Sequence, residues 1–262
     1  MDVFDRIIEV TKPIAKGYIL NLFGEPTFHP RFSDLLEKTR GFSTWLSSHL
    51  NYEEGRAHKL AMWDHLRIIC SIDTLDAFEY PNYRVGGDYV NVLRNLDILA
   101  NGACDVFPQF LVPSVDIDRE PYIQFARQHG IPEENVILKV KLENFRLDPT
   151  SAPSPGKCHS PYMGLYFNCD GYLVPCCNNV NSALHMAHIS QINSVVELYA
   201  GGKGEAVRKA LAVDKNCFDS CGRCDGMRYW DTEFVDDLRA VQIVFTRLLK
   251  SDRTKIPQAG SE

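Results

Sequence analysis

Apolar positions run through the first 145 residues in two alternating rhythms. Val3, Phe4, Ile7, Ile8 and Val10 recur at helical spacing, which predicts a helix over 2–11 that Pro13 ends. Gly17–Phe23 (GYILNLF) is an apolar run of strand length, and Gly24-Glu25-Pro26 is a turn. Pro30–Arg40 reads as a helix with Phe32, Leu35 and Leu36 inward and Gly41 at its end. Phe42–Ser48 is a second strand, Glu53–Met62 a helix with Ala57, Leu60 and Ala61 inward, and Asp64–Ser71 a third strand. Val90, Leu93, Leu96 and Leu99 place a helix over Tyr89–Ala100. Asp105–Val112 is a fourth strand, Arg119–His129 a helix ended by Gly130, and Glu134–Leu142 a fifth strand. Strands alternating with helices across short connections predict an α/β unit with a largely parallel sheet over residues 1–145.

The rhythm breaks at 146–157 (RLDPTSAPSPGK), where three prolines and a glycine among small polar residues read as a linker. Beyond it, the strand-like run Tyr162–Phe167, a turn at Asp170-Gly171 and Tyr172–Val174 predict a hairpin in a small unit over 158–228. Asp231–Lys250 reads as an amphipathic helix, with Phe234, Leu238, Val241, Val244 and Leu248 on one packing face. A C-terminal helix over 229–250 and a disordered tail over 251–262 complete the expected organisation.

With 262 residues the chain can bury a sizeable core. Its formal charge of −6 argues against a nucleic-acid partner, which wants a basic surface. No stretch approaches the roughly 18 apolar residues of a membrane span. The N-terminus lacks the basic and apolar regions of a signal peptide. The expectation is therefore a cytoplasmic protein. In that reducing compartment nine cysteines read as metal ligands plus core thiols, with Cys70 and Cys104 the core thiols.

The other seven are Cys158, Cys169, Cys176, Cys177, Cys217, Cys221 and Cys224. Cys217, Cys221 and Cys224 are spaced so that a tight turn can point sulfurs at one centre. The hairpin brings Cys158 and Cys176 together. Thiolates from two separated segments form a soft donor set that suits zinc or an iron–sulfur cluster. Cys217 and Cys221 compete for one ligand place. Neighbouring side chains on an extended segment point opposite ways, so Cys177 reads as a non-ligand beside Cys176. Cys169 is a structural thiol next to the turn. Ser48, Ser71 and Asp73 at strand ends can face a ligand or cap the next helix, and His29 reads as a packing or capping residue.

Cys158, Gly171, Cys176 and the Cys217/Cys221/Cys224 group, with GLYFNCDGYLVPCCNN between them, resemble the auxiliary-cluster (SPASM) domain of radical SAM enzymes. LNLFGEPTFHPRF resembles that family's "GEP" segment, LRIICSID its fourth strand, and YPNYRVGGDYVNVLRNLDIL the segment after it. The resemblance implies an incomplete (β/α) partial barrel with a parallel sheet, then a small cysteine-rich domain and a C-terminal helix. It implies an auxiliary [4Fe-4S] cluster on Cys158, Cys176, Cys217, Cys221 and Cys224, with zinc as the alternative metal. It also implies S-adenosylmethionine contacts from Gly24, Glu25, Pro26, Ser71, Asp73 and Arg84, and a peptide, protein or small-molecule substrate modified by radical chemistry. The family's other CxxxCxxC triad, which follows the first strand, has no counterpart, since no cysteine precedes Cys70. The expectation is a shortened product, a truncated homologue or a chain completed by a separate polypeptide, in that order, and inactive alone. The competing reading is a noncatalytic four-cysteine metal module for structure or partner docking.

Overall fold

A computed structural model of the chain describes residues 2–21, 24–114, 116–140, 156–158, 160–177, 179, 184–199, 202–222 and 224. The first elements are α1 (Asp2–Thr11), β1 (Gly17–Ile19), α2 (Phe32–Lys38), β2 (Ser43–Ser48), α3 (Glu54–Ala61) and β3 (Leu66–Asp73). They continue with α4 (Tyr80–Tyr83), α5 (Tyr89–Ala100), β4 (Asp105–Val112), α6 (Glu120–Gln128) and β5 (Ile137–Val140). The five strands pair in parallel, in the order β1-β2-β3-β4-β5. Strand order that follows chain order, with right-handed crossovers, puts every connecting helix on one face. That is a partial barrel rather than a doubly wound sheet.

The pleat sorts the side chains. Leu46, Ile68, Cys70, Ile72, Val106 and Phe110 face the helices and join Leu36, Leu60, Leu96 and Leu99 in the main core. The alternate positions Trp45, Phe107 and Ile137, with Ile69, pack on the other face. Strand β3 is buried along nearly its whole length, as a strand covered on both faces must be. Helix α5 starts where Asp88 accepts from the Val90 and Asn91 amides. Cys70 and Cys104 are both buried in this core.

A second unit holds α7 (Ser160–Met163), β6 (Tyr166–Phe167), β7 (Tyr172–Val174), β8 (Ala187–His188), α8 (Val195–Tyr199), α9 (Gly202–Val213) and α10 (Asp219–Gly222). Its strands form an antiparallel sheet, β6-β7-β8. The run from Tyr162 to Phe167 is not all strand. It opens as the helical turn α7, where Pro161 suits a first turn because it has no N–H to satisfy. Gly171 turns the β6–β7 hairpin at φ +88. A Cβ there would meet Val3 Cγ1 at 3.0 Å and Ile189 Cγ2 at 3.1 Å.

Those contacts reveal where α1 packs. Val10, with Val3 and Ile7, joins the core of the second unit beside Leu173, Ile189 and Ile192. The Arg6 guanidinium donates to the Ile192 carbonyl at 2.7 Å, and an Asp5–Lys38 ion pair ties α1 to α2. The helix thus bridges both units. Residues 146–155 of the expected linker, the helix over 229–250 and the tail over 251–262 lie outside the described residues, as do Leu22 and Phe23 of the first expected strand and 141–142 of the fifth.

Candidate functional site

The C-terminal ends of β1, β2, β3 and β5 gather one set of polar groups. Glu25 follows β1 through Gly24, whose φ of +84 suits glycine. Its side chain is only 5% exposed. One oxygen accepts from the Thr27 amide at 3.3 Å and the Thr27 hydroxyl at 2.7 Å. The other accepts from the Ser48 hydroxyl at 3.1 Å and the His49 amide at 3.0 Å. His49 Nε2 lies 3.4 Å from that same oxygen. Because His49 Nδ1 accepts from the Asn51 amide at 2.8 Å, the ring proton belongs on Nε2, facing Glu25. A carboxylate has about four acceptor positions, and these are filled. Glu25 therefore binds the β1 turn to the end of β2, and Pro26 opens the short helical turn Pro26–Phe28.

Leu50, just past β2, and Asp73, at the end of β3, have positive φ values of 56 and 70. Non-glycine residues held there store backbone strain, which concentrates at functional sites. Asp73 accepts from Arg84 Nε at 2.6 Å, with the carboxylate buried and the arginine partly exposed. Ser71 is buried, with its hydroxyl 3.1 Å from that of Ser47. The fully buried Tyr80 hydroxyl has no hydrogen-bond partner among the described residues. Burial pushes this phenol up from its ordinary value, with Arg84 opposing and Asp73 reinforcing. Lys139, in β5, stays exposed to solvent, yet crowding by the protein pulls its amine down, while Asp73 and the Cys177 thiol act against that.

In that unit Cys158 is buried, and its amide donates to the Leu211 carbonyl at 2.7 Å. Cys176 and Cys177 are half-buried just after β7, Cys221 is buried in α10, Cys224 is half-buried, and Cys217 and Cys169 are exposed. Burial pushes the Cys158 thiol up, and the Cys224 thiol adds to this. Burial likewise pushes Cys221 up to about 11, with Cys158, Cys224 and Cys217 adding. Cys177 rises by burial, opposed by Lys139 and helped by Cys224. The Tyr166 phenol, pushed up to about 12 by burial, also responds to Cys177, Cys176 and Cys158. The Cys158, Cys221 and Cys224 thiols feel one another's charge, and Lys215 joins their segments by donating to the Gly156, Gly222 and Cys224 carbonyls.

The donors are soft and suit zinc or iron–sulfur. The Asn179 amide group and the Ser220 hydroxyl reach the Cys221 sulfur at 3.6 and 4.0 Å, contacts that favour a charged thiolate. Among the described residues, however, no group of three or more His, Cys, Asp or Glu side chains is drawn together closely enough to hold a metal ion. The site is a neighbourhood of thiols, not a closed ligand shell.

Sequence reasoning passed over His49, Tyr80, Lys139 and Lys215. A histidine just past a strand could have marked the first. The others carry no local signal, since a lysine or tyrosine between turns reads as surface.

No protein-family model matches the chain, and no curated protein matches it. Solved structures do. Streptococcus suis SuiB superposes with a TM-score of 0.59 at 11% identity over 79% of this chain and 61% of its own. The chain thus spans 61% of SuiB's length. A histidine-tagged anSMEcpe with bound AdoMet gives 0.59 at 14% identity, covering 98% of this chain and 87% of its own. SuiB bound to the precursor peptide SuiA gives 0.52 at 12% identity, covering 87% and 65%. At such identities the shared property is the fold. Among the described residues no helix is long and apolar enough to cross a membrane.

Proposed function

We propose that the chain is a radical SAM/SPASM-type protein whose cysteine-rich unit holds an auxiliary [4Fe-4S] cluster and whose sheet end receives S-adenosylmethionine. One observation carries this reading. Hydrogen bonds from Lys215 to the Gly156, Gly222 and Cys224 carbonyls tie the segment of Cys158 to that of Cys221 and Cys224, in a chain whose other unit is a five-stranded parallel sheet. The fold shared with structures that hold AdoMet or a precursor peptide supports it.

Cys158, Cys176 and Cys224, with Cys217 or Cys221, would hold the cluster. Once bound, it would supply a one-electron acceptor or a coordination site for substrate. Gly24–Pro26, ordered by the Glu25 carboxylate, would line the cofactor's place, with Ser71, Asp73 and Arg84 beside it. The Arg84 guanidinium suits a carboxylate, and Asp73 holds it in register. A peptide or protein is the substrate class the comparisons favour.

A second reading is also favoured by an observation. No cysteine precedes Cys70, and the CxxxCxxC spacing falls at Cys217, Cys221 and Cys224, in the second unit. A noncatalytic metal module would share every feature of the cysteine-rich unit. Anaerobic reconstitution with iron and sulfide tests both. The expected yield is about four iron and four sulfide per chain, lost in Cys158→Ser and Cys224→Ser. A colourless protein with one zinc and no acid-labile sulfide overturns the cluster. Incubation with S-adenosylmethionine and dithionite is expected to form no 5′-deoxyadenosine, and its formation overturns the expectation of inactivity.

A further inference from the structure

The connection from β3 to α5 turns apolar side chains outward. Phe78 and Val85 are each 94% exposed, and among the described residues no large apolar side chain is more exposed. The Tyr80 amide donates to the Asp76 carbonyl at 3.0 Å, and the Arg84 amide to the Tyr80 carbonyl at 2.9 Å, so the backbone from Asp76 to Arg84 winds helically. Phe78, Pro81 and Val85 are three and four residues apart, a spacing that sets them on the side opposite Tyr80. Pro81 is exposed there as well, whereas Tyr80 is fully buried.

The segment is fastened to the body of the sheet unit. Arg84 Nε donates to Asp73 at 2.6 Å, and the Tyr89 hydroxyl lies 3.4 and 3.3 Å from the Thr74 and Leu75 carbonyls. The Tyr80 and Tyr89 rings pack with centroids 5.2 Å apart. A Cβ on Gly87 would meet Asn51 Nδ2 and Tyr80 Cε1 at 2.7 Å, so the backbone is pressed close there. Apolar side chains held in water on an anchored turn add nothing to the core, and an apolar strip with a polar rim marks an interaction site. Anchoring also lowers the ordering cost that a partner meets.

Charge selects the partner. Asp76, Glu79 and Asp88 are exposed around the strip. Asp76 accepts from the Phe78 amide at 2.7 Å and Asp88 caps α5, which fixes both carboxylates in place. Arg84, the one cation between β3 and α5, is already paired with Asp73. Such a surface repels the phosphates of nucleic acids and anionic lipids. A second copy docked through the same patch would bring like charges together. Lysines or arginines flanking apolar side chains complement it.

We propose that the β3–α5 connection docks a basic segment of another polypeptide. Phe78 and Val85 take its apolar side chains, and Asp76, Glu79 and Asp88 take its Lys or Arg. This rests on neither the metal reading nor the cofactor reading above.

The test pans a phage-displayed random peptide library against the full chain and measures the enriched peptides by fluorescence anisotropy. Their consensus should join Lys or Arg to large apolar residues. Phe78→Ser should weaken binding about 30-fold, the loss of one aromatic anchor. The combined Asp76→Asn, Glu79→Gln and Asp88→Asn variant keeps an acceptor at each position and removes the charge. It should bind about tenfold more weakly, and the parent's binding should fall as sodium chloride rises from about 50 to about 500 mM. Every substituted side chain is exposed, so the variants should keep the parent's melting midpoint. No enrichment, a consensus without basic residues, or equal affinity in parent and Phe78→Ser overturns the proposal. So does dimerisation of the parent in sedimentation equilibrium that Phe78→Ser abolishes, which would assign the strip to a second copy. Binding to phosphatidylserine vesicles that the same variant loses overturns it too.

Discussion

Replacing Glu25 by alanine removes the acceptor for four donors at once. Two come from Thr27 and two from the end of β2, and the carboxylate is almost wholly shielded from water. A hydrogen bond to a charged group contributes about 1.5–3 kcal/mol, and a buried donor left unmade costs about 1–3 kcal/mol. The terms do not add, because the Thr27 and Ser48 hydroxyls can rotate toward other acceptors. The His49 amide is fixed by the backbone and cannot. A net loss of about 3 kcal/mol follows for Glu25→Ala, a large share of the 5–15 kcal/mol of a typical domain. Glu25→Gln keeps one acceptor oxygen but turns an NH2 group onto the remaining donors, and should lose about half as much. In urea, with a slope near 3 kcal/mol per molar, the alanine midpoint falls by about 1 M. Trp45 in β2 gives a fluorescence signal for that melt. Ser48→Ala, which deletes one donor, should move the midpoint by less than half of this. An alanine variant within about 0.2 M of the parent refutes the bracket role and leaves Glu25 as a side chain held for a ligand alone.

Other outcomes can be read directly. Burial raises the Cys104 thiol from 9.0 to about 12 and raises Cys70 in the same sense, so the fold favours the neutral form of each. Their stabilisation is complete below the unfolded value and is lost as pH climbs from about 9 toward 12, at about 1.4 kcal/mol per unit per thiol. Thermal midpoints should drop between pH 8 and 10.5, and Cys104→Ala should flatten that drop. A Cβ at Gly102 would lie 2.5–2.9 Å from Ala61 Cβ, O and Cα, whereas one at Gly55, in the first turn of α3, meets open space. Gly102→Ala should therefore destabilise by about 1–3 kcal/mol and Gly55→Ala stabilise by about 0.5 kcal/mol, as denaturant melts can show. Arg84→Ala should cost about 1–3 kcal/mol, because it leaves the buried Asp73 carboxylate without that donor, and under the proposed function should weaken S-adenosylmethionine in equilibrium dialysis about tenfold. Unchanged binding removes Arg84 from the cofactor's place.

Local chemistry dictated much of the barrel. The helix over Tyr89–Ala100 and the strand over Asp105–Val112 have in the structure the bounds their patterns predict, because a capping aspartate and an apolar run announce themselves in sequence. The parallel sheet follows from strands separated by helices, and the hairpin turn from Asp170-Gly171. The cysteine spacing named the candidate donors without the fold. Neighbours far apart along the chain were decided only in three dimensions. The apolar stripe of α1 says that something covers it, and only the folded chain supplies Leu173, Ile189 and Ile192. A glutamate in a Gly-Glu-Pro turn looks the same whether it meets water or the Ser48 hydroxyl and His49 amide, since those donors arrive on the next strand. Lys215 is a solvated charge by composition and a buried clamp by packing. Periodicity and capping act over a few residues and are written in the chain, whereas burial and charge pairing depend on which distant segments the closed fold sets side by side.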